Sequence, residues 1–522
     1  MLARPALVAD LSDEVPVART LTAADVAGLA EELAAYQAHF APCFARRDQG
    51  AWVACYLRGL LTADVPRKNI EAIALRLLGA GPAAERRVRA LQHCISQAAW
   101  DDDRVLAVHR RLVDETLGEE DGVLLIDGSD VPKQGRHSAG VARQWCGASG
   151  KKDNCQAGVY LGYASRRGYT LLDRRLYLPA CWFTQEYRER WVACGIPDDT
   201  PFRTKPQLAA GLVDRALADR RLRARWAVCD EGFGDDQGLR AHLAARGLWY
   251  LAEVACDTKV WPLGEPDGQT ARPRPRTWVP PQVPSRRGPV PRRARRPPES
   301  PATVAVNAWA AQVPPERWQR YRLLEGSKGP LVAEVIAVPV VMVQDRLPGA
   351  EGRLVVRRTL PEPGEEPTYK YYLSNVPADT PLPTLVRVSG MRWPIESCFT
   401  EGKGELGLDH YELRSWRGWH HHLTLVILAH HFLVRLQQRL NQREGGRPPG
   451  DHAAGRPGRL SERGRRDAGA PAAGGRAGQP GRGLPAAAGA AAAASVGPGG
   501  GAGVARVPAA PQGGGVSLPS QA

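Results

Sequence analysis

Three acidic residues in separate stretches of the 522-residue chain are of a type and placement that suit metal-dependent chemistry: Asp127, Asp230 and Glu396. A hard divalent cation such as Mg²⁺ takes oxygen ligands, and protein supplies only one or two carboxylates per ion. Three acids that converge from different elements could therefore hold a pair of ions, the arrangement used in two-metal phosphoryl transfer. The sequence thus predicts a two-metal site.

Two of these acids follow apolar runs. Residues 123–126 are continuously apolar and are followed by Asp127 and Gly128, which is the pattern of a buried strand that ends in a turn. The run 225–229 precedes Asp230 in the same way. We therefore predict that both aspartates lie at the carboxyl ends of strands.

The third acid belongs to a predicted helix. Pro394 suits the first turn of a helix, and apolar residues recur at helical spacing after it, which places Glu396 in that first turn. Lys403 follows Glu396 by seven residues, about two turns, so both point the same way. Arg392 precedes it by one turn. We predict that Arg392 and Lys403 contact phosphate, and that Glu401, which points elsewhere, is solvated.

Each acid has a simpler interpretation. An Asp-Gly pair after a strand is usually only a turn, which applies to Asp127. An acid in the first turn of a helix commonly complements the helix dipole, which applies to Glu396. The joint pattern of two strand-end acids and a helical acid accompanied by basic residues favours the metal site.

Four stretches of the chain resemble bacterial insertion-sequence transposases of the DDE class, which have a ribonuclease H-like catalytic core. The resemblance covers roughly residues 20–440 and is carried by DGSDVPKQGRHSAGVARQWCG, NCQAGVYLGYASRRGYTLLDRRLYLP, CDEGFG and RWPIESCFTEGKGELGLDHYELRSWRGWHHHLTL. It implies that Asp127 and Asp230 are the metal-binding aspartates and that Glu396 is the acid of the RWxIE element. It further implies DNA contacts by Arg392 and Lys403.

One position departs from the family pattern. Related transposases carry a tyrosine a few residues before the arginine, and Ser389 stands at that position here. The DNA contact of that tyrosine is therefore not carried over to this chain.

The resemblance also implies a reaction, a cofactor and partners. Two Mg²⁺ ions, for which Mn²⁺ can substitute, would serve hydrolysis of the phosphodiester at the element ends, and the freed 3′ hydroxyl would attack target DNA in cut-and-paste transposition. The expected partners are the terminal inverted repeats, target DNA and further copies of the chain, as a homodimer or higher oligomer on DNA. No membrane partner is expected.

The length exceeds what one core accommodates, so several domains are expected. We predict an α/β ribonuclease H-like core together with a helical N-terminal DNA-binding region, a β-rich insertion and a disordered C-terminal tail. The predicted boundaries, in chain order, are 1–120 for the helical region, 121–262 for the first part of the core, 263–384 for a Pro/Arg-rich linker and insertion, 385–445 for the part with the catalytic helix, and 446–522 for the tail.

The predicted insertion contains a basic segment and several tryptophans. Between Asp267 and Glu299 there are nine arginines and no acid, a run that either attracts DNA without sequence specificity or is a solvated linker. These tryptophans could stack on an unpaired base, although packing is the commoner role; they are Trp261, just before the insertion, and Trp278, Trp309 and Trp318 within it.

Composition adds weaker indications. The formal charge of +15, from 70 basic and 55 acidic residues, suits a phosphate-binding protein. The ten cysteines form no CxxC pair, so we expect a reduced, cytoplasmic protein, nucleoid-associated when bound to DNA, and no zinc site. We assign the histidines at 420–422 and 430–431 to helix packing and phosphate contact. The Gly/Ala/Pro/Arg-rich tail beyond 445 suggests the hypothesis of a lost reading frame.

Two alternatives remain open at this point. One is a catalytically inactive DNA-binding protein derived from a transposase. The other is a metal-dependent endonuclease that cuts DNA without strand transfer. The sequence leaves open the terminal repeats, the target preference, the cleavage route and the oligomeric state.

Overall fold

The chain folds into a mixed α/β structure. The computed structural model describes residues 7–11, 28–218, 221–279, 294–324, 330–359 and 366–445. The predicted disordered tail at 446–522 and part of the Pro/Arg-rich segment, residues 280–293, lie outside the described residues. All described residues belong to one compact unit.

The helices in the described part of the chain fall into an N-terminal group of five, a middle group around the sheet, and a C-terminal group of three. In chain order they are α1 Leu29–Ala38, α2 Arg47–Leu60, α3 Ile70–Leu78, α4 Ala84–Ser96, α5 Asp102–Leu117, α6 Arg188–Ala193, α7 Lys205–Leu217, α8 Glu231–Gly234, α9 Gln237–Ala245, α10 Val306–Ala310, α11 Leu382–Gly390, α12 Trp393–Gly404 and α13 Trp416–Gly445. The N-terminal group agrees with the predicted helical region.

Thirteen strands of the described residues form one mixed sheet. In chain order they are β1 Leu7–Leu11, β2 Val123–Pro132, β3 Ala142–Cys146, β4 Lys151–Ser165, β5 Gly168–Leu176, β6 Trp226–Cys229, β7 Trp249–Val254, β8 Lys259–Pro262, β9 Val304–Ala305, β10 Gln319–Leu324, β11 Pro330–Gln344, β12 Leu347–Thr359 and β13 Thr368–Ser374. The main order is β1-β10-β11-β12-β13-β7-β6-β2-β4-β3, with β5 on β4, β8 on β11 and β9 on β8.

The centre of this sheet is built from parallel strands. β2 pairs in parallel with β6, and β6 pairs in parallel with β7. Because their residues are apolar on both faces, the strands read as continuous apolar runs, as expected of strands covered on both sides. This parallel centre is where the predicted aspartates lie.

Strands that we predicted to form an insertion continue the same sheet. β13 pairs antiparallel with β7, so β10 to β13 extend from the parallel centre rather than forming a sheet of their own. Pairing between β7 and β13 joins residues about 120 positions apart, which no local pattern indicates. The domain boundaries given above stay predictions.

Alternate residues of the central strands face two different cores. Leu125, Val228 and Leu251 belong to the core that also contains residues of α12, α13 and the N-terminal helices. Leu124 and Ala227 belong to the core beneath α7 and α9. Because side chains alternate along a strand, the residue two positions after Leu125 points towards α12.

The last helix, α13, joins the N-terminal helices to the sheet, since it contacts β5 on one side and α2, α4 and α5 on others. Its five histidines are buried, which supports the packing role and leaves no phosphate contact for them: His420, His421, His422, His430 and His431. Two examples show the packing. His421 Nδ1 lies 3.0 Å from the Ile95 carbonyl oxygen, and Tyr56 Oη lies 2.9 Å from His422 Nδ1.

We expect the free energy of unfolding to fall as the pH drops from about 6.5 towards 4. Burial lowers the pKa of His109 to about 4 and that of His422 to about 3, below the ordinary value of 6.5. The unfolded chain therefore binds more protons in this window, and each such histidine costs up to about 1.4 kcal/mol per pH unit. Urea unfolding at pH 7, 6 and 5 measures the slope. His109→Gln should flatten it, and a wild-type stability that is constant across this range would contradict the account.

Within the described ranges, no helix combines the length and the apolar character needed to cross a bilayer. All ten cysteines are free thiols, and eight of them are buried.

Candidate active site

Asp127 and Asp230 lie side by side at the centre of the sheet. The parallel pairing of β2 with β6 ends at Ile126 and Cys229, and the next residue on each chain segment is the aspartate. We predicted that Asp127 lies at the end of its strand. This prediction is wrong, because β2 continues antiparallel to β4 as far as Pro132. The end of the parallel ladder, rather than the end of β2, brings the two acids together.

The segment after β6 turns immediately into the short helix α8. The Asp230 side chain caps this helix by accepting a hydrogen bond from the Phe233 backbone N–H at 3.3 Å. At Gly234 the helix lies so close to β7 that a Cβ atom would overlap the carbonyl oxygen of Glu253. Gly234, the last residue of the CDEGFG stretch, is therefore required for this close approach of α8 to β7.

Glu396 reaches the same place from α12. The helix begins at Trp393, Pro394 occupies its first turn, and Glu396 follows in that turn, as the sequence predicts. Ile395 and Phe399 anchor the helix in the core that Asp127 faces. The Glu396 side chain is 53% exposed and so remains open to a ligand.

Arg392 links the acids. This residue is the N-cap of α12, and its guanidinium Nη1 lies 3.4 Å from Asp127 Oδ2. Its Nη2 forms an ion pair with Glu396, one turn along the helix. Its Nε lies 3.8 Å from Glu253 Oε2. The Arg392 side chain is only 20% exposed, so its guanidinium is half-buried between the carboxylates.

Glu253 is a site residue that our sequence analysis missed. β6 pairs with β7 up to Cys229 and Ala252, so Glu253 stands next to Asp230 at the same level of the sheet. Its carboxylate also lies 3.4 Å from Lys370 Nζ on β13. A signal was present, since the apolar run 249–252 precedes this acid just as apolar runs precede the two aspartates. The interior position of Glu253 in β7 concealed it.

Burial and mutual repulsion act on the two aspartates. Burial, followed by the negative charge of Asp230, raises the pKa of Asp127 to about 7, although Arg392 opposes the shift. Burial also raises the pKa of Asp230, which Arg392 and the Phe233 N–H partly offset. Closely placed carboxylates resist ionising together, so a cation between them would be favoured.

We expect Asp127→Asn to stabilise the protein at pH 8 by about 1 to 3 kcal/mol, because it removes a buried charge. The raised pKa means that stability is lost as the pH rises from about 4 to 7, so the gain should be smaller at pH 5 than at pH 8 and vanish only below about pH 4. Urea unfolding at both pH values tests this. The control Asp130→Asn changes an acid on the same strand that lies 3.9 Å from Lys205 Nζ and should not stabilise. A destabilised Asp127→Asn protein at pH 8 would contradict the electrostatic account.

The donors fit a divalent cation in chemical type. Asp127, Asp230 and Glu396 offer only carboxylate oxygens, which Mg²⁺ and Mn²⁺ prefer. Among the residues that the structure describes, no three His, Cys, Asp or Glu side chains are already arranged around a metal position. Arg392 occupies the space between the acids instead, paired with Asp127 and Glu396.

Two lysines lie on helices next to the acids, α12 and α7. Lys403 lies two turns beyond Glu396 on α12, half-buried, and the described residues provide it with no hydrogen bond or ion pair. Lys205, which our sequence analysis did not consider, begins α7 and lies near Asp130. Its charge also lowers the pKa of Asp230, so it is close to both aspartate-bearing segments. Lys403 and Lys205 are therefore available to an anionic ligand.

Two expectations about neighbouring residues need correction or completion. Glu401 is not a freely solvated acid, because its carboxylate accepts a hydrogen bond from Tyr169 Oη at 2.7 Å and lies 2.9 Å from His430 Nε2. Glu401 points away from Glu396, as expected, and its contacts join α12 to β5 and α13. Ser389 is buried, with its hydroxyl donating to the Val386 carbonyl at 2.7 Å, so it cannot replace a DNA-contacting tyrosine.

Of the four tryptophans in and just before the predicted insertion, three are packing residues. Trp261, Trp309 and Trp318 are each 1% exposed. Trp278 is half-buried, with the Arg295 guanidinium 5.4 Å from its ring centre. None of the three buried rings can stack on DNA without rearrangement of the core.

Comparison with known proteins adds an independent finding. Residues 39–330 match the family model described as DDE superfamily endonuclease, and this match includes both aspartates and Glu253. Among curated proteins no sequence matches the chain. The match covers more than half of the chain.

Proposed function

Because the chain belongs to the DDE superfamily of endonucleases, we propose that it is the transposase of a bacterial insertion sequence, with a ribonuclease H-like catalytic core. The observation that carries the proposal is the meeting of Asp127, Asp230 and Glu396 around one guanidinium at the end of the parallel strands. A family of endonucleases makes DNA the substrate. The mixed sheet with helices on both faces is consistent with this core.

In the proposed site Asp127, Asp230 and Glu396 would hold two Mg²⁺ ions, or Mn²⁺ in their place. Ions bound there would supply Lewis-acid activation of water and stabilisation of the leaving 3′ oxygen. The chain contributes by holding two aspartates rigidly, one within a strand and one as a helix cap. Glu396, more exposed and on a helix, can adjust to the substrate.

Arg392 would change partners when DNA enters. In the structure its two terminal nitrogens pair with Asp127 and Glu396, the same acids that would turn to the ions. Its Nε contact with Glu253 does not involve those acids, so Glu253 can hold the guanidinium in place while the terminal nitrogens bind a phosphate as a fork. Glu253, whose carboxylate also lies 3.4 Å from Lys370 Nζ, would thus position Arg392.

Lys403 and Lys205 would bind flanking phosphates as point charges. Lys403 is about 10 Å along the helix from Glu396, at 1.5 Å per residue, so it would reach a phosphate beyond the scissile one. The remaining steps need no protein nucleophile, because the freed 3′ hydroxyl would attack target DNA directly. This is the cut-and-paste reaction.

The arrangement of the remaining regions is part of the same proposal. The helical region 1–120 would contribute to binding the terminal inverted repeats, the strands within 263–384 would support the DNA end, and two copies of the chain would bring two ends together as a dimer or higher oligomer. Residues 385–445 would complete the catalytic core with Glu396.

An end-cleavage assay tests the proposal. The protein is incubated with Mg²⁺ and labelled DNA that carries the ends of its own element, beside scrambled DNA of the same length. We expect cuts at the element ends and a product in which the end is joined to target DNA. Cleavage without joined product would favour the endonuclease alternative, and end-specific binding without cleavage would favour an inactive DNA-binding protein.

A further inference from the structure

One tryptophan stands apart from the packed ones. Trp145 lies on β3 and is 60% exposed, and it is the only tryptophan among the large, exposed apolar side chains of the described residues. β3 is the last strand in the sheet order and pairs only with β4 in the described part of the chain. Most of the indole ring is therefore accessible to a ligand at this end of the sheet.

Basic residues lie near Trp145 on β3 and β4. Trp145 pairs across the ladder with Lys152, so these two side chains share one face, whereas Lys151, the partner of Cys146, lies on the opposite face. Arg143 precedes Trp145 by two residues and so points to the same side of β3. All three basic side chains are exposed, and none of them has a hydrogen bond or ion pair among the described residues. We call the β3–β4 pair with these four residues the basic hairpin.

The basic hairpin is attached to the active site. Its turn begins at Gly147, whose backbone N–H donates to Asp130 Oδ2 at 2.8 Å. Asp130 lies on β2 three residues beyond Asp127, which is about 10 Å along the strand. Lys205, whose charge acts on Asp230, approaches Asp130 from the other side at 3.9 Å. DNA whose phosphate lies at the acids would therefore pass the hairpin within a few nucleotides.

A simpler role exists for the charges alone. Lysines on an edge strand prevent pairing with other chains, and Lys151 and Lys152 would serve that purpose on β4 and its partner. An exposed tryptophan has the opposite effect, because it favours association. Edge protection therefore explains the cations but not Trp145.

We propose that the basic hairpin binds the DNA next to the scissile phosphate, with Trp145 stacked on an unpaired base and Arg143 and Lys152, on the same face, on its phosphates. This inference rests on the proposed function for the location of the DNA. Every base offers a face to an indole ring, so the contact would recognise an unstacked base of any sequence. The structure thus assigns a base-holding role to β3 rather than to the tryptophans of the predicted insertion.

Binding is measured without divalent metal, so that no cleavage occurs, on two end DNAs that differ in one base. One is fully paired, and the other carries an unpaired 2-aminopurine near the cleavage position. We expect Trp145→Ala to weaken binding of the unpaired DNA about 10-fold to 100-fold and to abolish the quenching of 2-aminopurine, with little change for paired DNA. Trp145→Phe should restore most of the preference.

Three controls sharpen the result. Arg143→Ala with Lys152→Ala should weaken binding of both DNAs equally and reduce the salt dependence of binding. Leu75→Ala, at an exposed apolar residue of α3, should change neither DNA. Unchanged urea midpoints establish that the variants fold, as expected for exposed positions.

The same preparations are then assayed for cleavage with Mg²⁺, which separates the two proposals. A wild-type protein that cleaves, with Trp145→Ala binding both DNAs as the wild type does, would overturn the inference and leave the proposed function intact. A wild-type protein that never cleaves, while Trp145→Ala loses the preference for the unpaired base, would overturn the function and support the hairpin as a DNA-binding element.

Discussion

Asp230→Asn is expected to lower the rate of DNA cleavage by about 10³-fold or more while leaving the fold intact. The loss follows because the amide removes one charged oxygen ligand from a site that works by holding cations against phosphate. The fold should persist because the asparagine side-chain oxygen can still accept the Phe233 N–H that Asp230 accepts. Single-turnover cleavage of end DNA measures the rate.

The chain offers a matched control for this change. Asp236 caps α9 by accepting the Leu239 N–H at 2.7 Å, and it makes the same kind of cap without taking part in the site. Asp236→Asn should therefore cleave DNA at nearly the wild-type rate. Cleavage by Asp230→Asn at more than a tenth of the wild-type rate would remove Asp230 from the catalytic site.

Arg392→Ala is expected to lower the cleavage rate by about 10²-fold to 10³-fold, the usual effect of losing one preorganised group that stabilises developing charge. It also leaves Asp127 and Glu396 without their shared cation. Arg392→Lys should recover only part of the rate, since an ammonium cannot bind a phosphate as a fork. Rates at saturating DNA and Mg²⁺ separate this effect from weaker binding.

Arg358→Ala is the control for the loss of a half-buried arginine. Arg358 is 20% exposed, like Arg392, and pairs with Glu334 at 2.6 Å on the extended part of the sheet. The role given to Arg392 is wrong if Arg358→Ala slows cleavage as much as Arg392→Ala does, and if the slower cleavage of both variants is proportional to their loss in free energy of unfolding.

Local sequence patterns sufficed where the site depends on short segments. An apolar run followed by an acid located both aspartates, and a proline followed by helical spacing located Glu396 in the first turn of α12. The spacing of Arg392 from Glu396 also agrees with their ion pair one turn apart. Each of these depends on residues within about four positions of one another.

Local sequence patterns did not predict the contacts that depend on pairing between distant strands. Asp127 lies inside β2 because β4 continues the pairing beyond it, and Glu253 joins the site only through the register of β6 with β7. The contacts of Glu401 with Tyr169 and His430 join residues on three elements. Single-sequence patterns specify which face a strand buries, whereas partner and register follow from the whole fold.

The sequence also did not indicate which tryptophans are exposed to solvent. It singled out the tryptophans in and just before the predicted insertion for DNA contact, yet Trp261, Trp309 and Trp318 are in the core and Trp145 is on the surface. An indole ring has the same composition in either place, and only the position of β3 at the end of the sheet order separates them.

The central claim is that Asp127, Asp230 and Glu396 form the metal site, and anomalous diffraction from crystals grown with Mn²⁺ and end DNA tests it most directly. We predict an anomalous peak between Asp127 and Asp230, a second one beside Glu396, and an Arg392 side chain that has left Asp127. A structure in which Mn²⁺ binds elsewhere, while Arg392 still pairs with Asp127 and Glu396 in the presence of DNA, would contradict the claim.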